Sequence, residues 1–421
     1  MSSFIDLFCS FINSHGDKIA VIENEKTITY SKLFEEAIAY SKSLPSGAPI
    51  IPVFEDAGID WYIKVLGIMY AKQAAVPISV VFPKERADFI LADIEKASYL
   101  PEEAALIYYT SGSTGSPKGV ILTHTGLAAN VNAFRELFNT NELDRAAINS
   151  DPSFDAFILL SLPSLVFGIT IYIVPEQSRA SLVGLHKFLL KNRIDITFLT
   201  TQLAVSYMRT FDNKILKLLL TGGEALRYYT KRSYEVWNLY GPCETTIYVL
   251  AHKLTEADEE NPFDIPIGKP VGDNTVELKD CEICISGPQV AAGYLNRPDE
   301  TAKVFIDNMY KTGDLAEIDR NDEFRFRGRR DEQIKISGYR IEPGEIEAKI
   351  SACEGISSVK VTTAKNDNGE YILTAVCVGD SDENSLRQKL EKALPRAMIP
   401  ANIKFVSEIK SDPRTGKGVV I

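Results

Sequence analysis

The stretch Tyr109–Gly119, YTSGSTGSPKG, separates two apolar runs, Ala104–Tyr108 (AALIY) and Val120–His124 (VILTH). Short apolar runs bounded by turn residues read as strands, so this is a loop between two of them. Glycine lets a backbone turn tightly and aim successive N–H groups at one anion. Thr110, Ser111, Ser113 and Thr114 add hydroxyls, and Lys118 adds a positive charge. That donor set suits a phosphate. The loop is no Walker A, because Pro117 stands where G-x-x-x-x-G-K-[ST] requires glycine, and it is no G-x-G-x-x-G. Taken alone, it also reads as a Gly/Ser-rich surface linker.

Outward from the loop, β-rich runs alternate with segments of helical period. KIAVIE, TITY, APIIPVF and AAVPIS are interleaved with SKLFEEAIAYSKSL and DWYIKVLGIMYAK, and the pattern resumes at IDITFLT, ILKLLLTGGEAL and VWNLYG. This alternation predicts βα units and parallel sheets, an α/β class. After Pro266 the texture changes to short strands and turns (VELKD, CEICISG, NMYKTGD, EFRFRGR), which predicts a small antiparallel sheet or barrel over about 266–330. Beyond the charged run GRRDEQ, a compact α+β region follows: helix GEIEAKISAC, strands SSVKVTTAK and YILTAVCVG, helix ENSLRQKLEKAL. A boundary near Arg330–Glu332 divides domains 1–330 and 331–421.

At 421 residues, two or three lobes are expected. A net charge of −11 with dispersed basic residues excludes an electrostatic nucleic-acid footprint and disfavours anionic membranes. Six scattered cysteines fit reduced thiols in a cytoplasmic protein. The pair in CEIC sits on a strand, where positions three apart face opposite ways, so no zinc site is expected. Phe157–Val174 is long enough to span a bilayer, but Ser161, Pro163, Ser164 and Gly168 interrupt it. A buried helix, a break and the strand ITIYIV account for it better. The N-terminal MSSFIDLFCSFINSHG has the spacing of an amphipathic helix and lacks a basic leader region.

Six segments occur in one order: YYTSGSTGSPKGV, SFDAF, NLYGPCETT, YKTGDLA, GRRDEQIKISGYRIEPGEIE and PRTGKG. Together they resemble the signature series of the adenylate-forming superfamily, specifically the amino-acid adenylation domains of nonribosomal peptide synthetases. The resemblance implies a large N-terminal domain of two stacked α/β lobes plus a small β-barrel, then a small mobile α+β domain hinged at Asp331. It implies activation of a carboxylate on ATP with release of pyrophosphate, a reaction run mostly by positioning and charge neutralisation. By resemblance, Thr110, Ser111, Gly112, Ser113, Thr114, Gly115 and Lys118 hold the β,γ-phosphates, and Glu244 binds Mg²⁺. Tyr240 stacks on adenine, and Gly223, Glu224, Gly241 and Cys243 belong to the same nucleotide site. Asp314 meets the ribose hydroxyls with help from Arg329, and Lys417 bridges the substrate carboxylate and the α-phosphate. Lys417, Glu244 and Lys118 are the catalytic set. Cys243 stands where the family usually has threonine, and a thiol donates more weakly than a hydroxyl; a redox or catalytic role is the other reading of that thiol.

In the family's amino-acid-activating members, an aspartate at the position of Asp155 pairs with the substrate α-ammonium. A carboxylate before such an apolar run is costly unless paired, although Asp155 also reads as a cap of the next helix. Carried over, the specificity pocket is Asp155, Ala156, Leu159, Phe198, Leu220, Gly222, Leu239, Ile247, Tyr248 and Lys417. Between its charged ends this lining carries no acid or base, which predicts a branched aliphatic amino acid (Leu, Ile or Val), with an aromatic one as fallback. The family's longer connection before PEEAALIYYT is absent, and the region around VELKDCEICIS is abbreviated, so a compact form is expected. VGDSDE around Ser381 reads as a turn. No carrier segment follows Lys417, so the phosphopantetheine thiol of a peptidyl carrier protein is expected in trans or from a downstream domain, with a small helper protein as a further candidate partner. A monomer is expected. An acid–CoA ligase and a degenerate nucleotide-binding scaffold are the competing readings.

Overall fold

The computed structural model describes residues 3–112, 116–331, 333–336, 339–365, 371–411 and 418–419. Contacts divide the chain into two compact units. One comprises residues 1–80, 97–108 and 119–330, and the other residues 81–96, 109–118 and 331–421.

The first unit is organised by a nine-stranded sheet. Its order is Lys269–Pro270, Leu250–Lys253, Glu235–Tyr240, Leu218–Gly222, Ile196–Thr200, Arg145–Ile148, Thr170–Ile173, Ile19–Glu23 and Lys26–Thr29. From Glu235–Tyr240 to Ile19–Glu23 every pairing is parallel. These central strands are buried on both faces, which explains their continuous apolar runs. The strand-to-helix switch at Thr29 is local chemistry: its hydroxyl accepts the Lys32 N–H and caps the helix Tyr30–Ser41. The long apolar stretch resolves into the buried helix Ile158–Phe167, a left-handed Gly168 and the strand Thr170–Ile173. Among the described residues no helix is long and apolar enough to cross a membrane.

A second sheet joins Ile50–Val53, Ala74–Pro77, Ala104–Thr110 and Lys118–Thr123 in that order. The strands Thr275–Lys279, Glu282–Ser286, Phe305–Ile306, Met309–Ile318 and Phe324–Arg329 form the antiparallel five-stranded sheet expected after Pro266. Its core of Ile283, Ile285, Ala316 and Phe324 packs with Tyr240, Val249, Leu250 and Ile267 of the large sheet region.

Buried His252, on Leu250–Lys253, joins these two sheets. Its Nδ1 lies 2.7 Å from Glu323 and its Nε2 3.1 Å from Asp258. Burial opposes the imidazolium, but the hydrogen bonds and charges of Asp258 and Glu323 outweigh it and raise the His252 pKa. A raised folded-state pKa adds stability that is complete below the unfolded value and is lost as pH rises through the folded one. His252→Gln is therefore expected to cost about 1.5–3 kcal/mol at pH 6, with the deficit shrinking toward pH 9. Denaturant midpoints of both proteins at the two pH values measure it.

In the second unit, the sheet Ile356–Lys365, Tyr371–Gly379, Asn402–Val406 carries the helices Pro343–Ser351 and Glu383–Ala393. Ile346, Ile350, Leu373, Ala375, Leu386 and Leu390 fill its core, each fully buried branched side chain contributing about 1.5–3 kcal/mol before entropy is counted. Ser381 lies between the second strand and the second helix. The helix Lys84–Glu95 and the segment 109–118 belong to this unit.

Candidate active site

Parallel strands end on a common edge, and ligands of open α/β sheets bind along it. In the large sheet, Arg145–Ile148, Ile196–Thr200, Leu218–Gly222 and Glu235–Tyr240 run in parallel, so the segments that follow them meet there. Asp155 follows the first, Phe198 lies within the second, Gly222 ends the third with Gly223 and Glu224 after it, and Tyr240 ends the fourth with Gly241, Cys243 and Glu244 after it. Leu159, Phe198, Leu220, Leu239, Ile247 and Tyr248 share one buried cluster, with Ala156 packed against it. The nine residues Asp155 to Tyr248 of the expected pocket thus lie in the first unit. Gly222 has a packing reason: a Cβ there would come within 2.3 Å of the Leu239 carbonyl oxygen. Glu224 accepts a hydrogen bond from Gln202 Nε2 at 3.3 Å.

Asp155 opens a 3-10 turn, Asp155–Phe157, and no side chain caps the helix Ile158–Phe167. The capping reading of Asp155 therefore falls away. Tyr108, which sequence reading passed over as one more apolar strand position, stands in the same cluster. It is buried and its hydroxyl has no hydrogen-bond partner. Burial, and after it the nearby Asp155, Cys243 and Asp151, push that phenol well up from its ordinary value. The Tyr248 hydroxyl is likewise buried without a partner. Nothing in the sequence separates Tyr108 from an ordinary core residue.

The turn after Glu244 is strained. Thr246 and Ile247 have φ of 52° and 80°, a region a β-branched residue enters only when its surroundings over-determine it. Buried Gln289 supplies that constraint. Its Nε2 donates to the carbonyls of Tyr248 (2.8 Å), Thr246 (3.2 Å) and Thr245 (3.4 Å), while its Oε1 accepts from Asn274 Nδ2 at 2.6 Å. Asn130 Nδ2 donates to the Thr246 carbonyl at 3.0 Å, and Thr246 Oγ1 donates to the Gln289 carbonyl at 2.7 Å. Glu244 is fully buried, and Tyr294 Oη donates to its Oε1 at 2.7 Å. Asn130, Asn274, Gln289 and Tyr294 were missed because their partners are 15 to 116 positions away in the chain.

Asp314 is buried. Tyr240 Oη donates to its Oδ2 at 2.6 Å, and Arg329 donates to its Oδ1. Thr312 Oγ1 accepts the Asp314 N–H at 3.0 Å, and Arg329 Nη2 donates to the Thr312 carbonyl at 3.2 Å. Tyr240, Asp314 and Arg329, 74 and 15 positions apart, therefore form one hydrogen-bonded group. A carboxylate has about four acceptor sites, so Asp314 suits the hydroxyl donors of a diol. One buried carboxylate at Glu244 fits Mg²⁺, which keeps most of its waters and needs only one or two protein carboxylates beside substrate phosphates.

The loop between Ala104–Thr110 and Lys118–Thr123 belongs to the second unit. Its Ser111 Oγ donates to the Arg340 carbonyl at 2.6 Å, and buried Lys118 opens the following strand. A Cβ on Gly112 would lie 2.0 Å from the Ser116 carbonyl oxygen, so only glycine closes the loop. Ser113, Thr114, Gly115 and Lys417 lie outside the described residues.

Residues 94–295 match the family described as AMP-binding enzyme. This segment is similar to the AMP-binding enzymes. Bacitracin synthase 1 of Bacillus licheniformis is 30% identical over 465 residues, covering 96% of this chain but 9% of that protein. The chain therefore spans a small part of its curated relative. Among solved structures, o-succinylbenzoate CoA synthetase (MenE) of Bacillus subtilis superposes with a TM-score of 0.86 at 18% identity, over 98% of this chain and 97% of that one. The Vibrio cholerae adenylation domain AlmE, in complex with glycyl-adenosine-5'-phosphate, gives 0.86 at 20% identity over 97% and 95%. The fold is that of the adenylate-forming enzymes.

Proposed function

We propose that this enzyme activates an α-amino acid on ATP, forming the aminoacyl-adenylate and pyrophosphate, and passes the acyl group to the phosphopantetheine thiol of a separate carrier protein. The observation that carries this reading is Asp155, which opens a turn beside the buried apolar cluster at the carboxyl edge of the parallel sheet and caps no helix. An acidic group beside an apolar cluster is what an α-ammonium with a hydrocarbon side chain requires. Tyr240, Asp314 and Arg329 would take the adenosine. Glu244 would hold Mg²⁺, which supplies charge neutralisation on the phosphates. Lys118 and the loop 110–118 would take the β,γ-phosphates, and Lys417 would bridge the carboxylate and the α-phosphate. Asp331 would serve as the hinge of a domain rotation between adenylation and thiol transfer.

The side-chain preference is for Leu, Ile or Val, because Leu159, Phe198, Leu220, Leu239 and Ile247 supply only hydrocarbon to the lining. ATP–pyrophosphate exchange across the twenty amino acids and several plain carboxylic acids tests both levels. Exchange with branched aliphatic amino acids is the expected result. Exchange driven only by acids lacking an amino group would identify an acid–CoA ligase instead, and none at all a nucleotide-binding scaffold.

A further inference from the structure

Tyr108 buries a hydroxyl that the fold leaves unpaired. The residue is 1% exposed, and its Oη has no hydrogen-bond partner. An unmet buried hydroxyl lowers stability, and Tyr62 and Tyr30 of the same cluster avoid it. Tyr62 Oη donates to Ser161 Oγ at 2.9 Å, and Tyr30 Oη donates to the Ser164 carbonyl at 3.1 Å. A phenylalanine at position 108 would fill the same space without the orphan.

The placement of Tyr108 says what the hydroxyl could meet. The parallel strands Ile50–Val53 and Ala74–Pro77 lead to Trp61 and Ser79 at the carboxyl edge of the second sheet, and Tyr108 nears that edge in Ala104–Thr110. Ala75 pairs with Leu106, so two residues on Tyr108 comes level with Pro77, just before Ser79. The segment that carries Asp155 is pinned to this edge on both sides. Ser79 Oγ donates to Asp151 Oδ2 at 2.7 Å, and the Trp61 ring packs on Phe157 with centroids 4.6 Å apart. Asp151 Oδ1 also accepts the Ser153 N–H and hydroxyl, at 2.8 and 2.6 Å, which fixes the chain ahead of the turn. Asp155 lies between these two attachments, and Phe157, Leu159 and Cys243 share the buried cluster of Tyr108. Burial first, and then the charge of Asp155, hold the phenol well above its ordinary value. It is therefore neutral at ordinary pH and able both to donate and to accept.

We propose that Tyr108 Oη is a second acceptor for the substrate α-ammonium, beside the Asp155 carboxylate. This rests on the reading of Asp155 as the ammonium partner. An ammonium carries three N–H donors. One carboxylate meets one or two of them, and a donor left bare in a dry site weakens binding. A phenol oxygen accepts the next one without adding a negative charge beside Asp155 and Asp151. The hydroxyl is thus unpaired in the free chain and satisfied by the amino acid. The contact is to the group common to all α-amino acids, so Tyr108 selects for the amino group and leaves the choice of side chain to the apolar lining.

Tyr108→Phe in the full chain tests this by ATP–pyrophosphate exchange. The substrate is the amino acid that the wild type uses best, and its desamino acid serves as competitive inhibitor (4-methylpentanoate where that amino acid is leucine). The expected result is a KM for the amino acid raised about tenfold to a hundredfold, with the KM for ATP and the inhibition constant of the desamino acid unchanged. The denaturant midpoint should hold or rise, because the free chain loses no hydrogen bond. A packing role alone would leave the KM for the amino acid at its wild-type value, and that result overturns the inference by itself. An equal loss for amino acid and desamino acid does the same, since it would make Tyr108 a wall of the pocket. A lowered midpoint also overturns it, by showing that the hydroxyl is already bonded in the free chain. A wild type that exchanges with no α-amino acid overturns it together with the proposed function.

Discussion

Replacing Asp155 with alanine is expected to abolish pyrophosphate exchange with amino acids while sparing the fold. In the proposed complex its carboxylate meets the α-ammonium in a cleft walled by Leu159, Phe198, Leu220, Leu239 and Ile247, where little water competes. Truncating one partner of such a pair leaves the other charge buried and costs about 2–5 kcal/mol, roughly thirtyfold to several thousandfold in kcat/KM at 1.4 kcal/mol per decade. The loss should fall on the amino acid and not on ATP. The matching desamino acid, which never used the carboxylate, should react with the variant at least as well as with the wild type. Equal losses for both substrates would remove Asp155 from the substrate site.

The second large effect is structural. Gln289→Ala is expected to destabilise the chain by about 3–5 kcal/mol, read as a shifted denaturant midpoint. The substitution strands the carbonyls of Thr245 and Tyr248 in a dry interior, and it takes one donor from the Thr246 carbonyl and one acceptor from the Asn274 amide. Their loss frees the Thr246–Ile247 turn to relax from its positive φ values. Because Glu244 precedes the turn and Ile247 and Tyr248 follow it, KM for ATP and for the amino acid should rise together. Gln289→Glu keeps the length but replaces the donating amide by an acceptor, so it should be no better than alanine. Rescue by Glu would show that shape, and not donation, holds the turn.

The sequence determined a great deal here. Alternation of β-rich runs with helical periods set the α/β class, and the change of texture after Pro266 marked the antiparallel sheet now seen over Thr275–Arg329. Both signals are local, since they depend on spacing along the chain and on turn residues. The order of six motifs pointed to the family and to Asp155, Glu244, Tyr240 and Asp314. What only the tertiary structure decided was pairing between distant segments. Periodicity is blind to it, because a strand's neighbour in a parallel sheet arrives by a crossover of arbitrary length. Ile19–Glu23 lies beside Thr170–Ile173, and Tyr240 bonds to Asp314 across 74 positions. The buried hydroxyl of Tyr108 and the Gln289 clamp belong to the same class. Each depends on which polar atom is left with a partner once water has been excluded, and folding alone settles that.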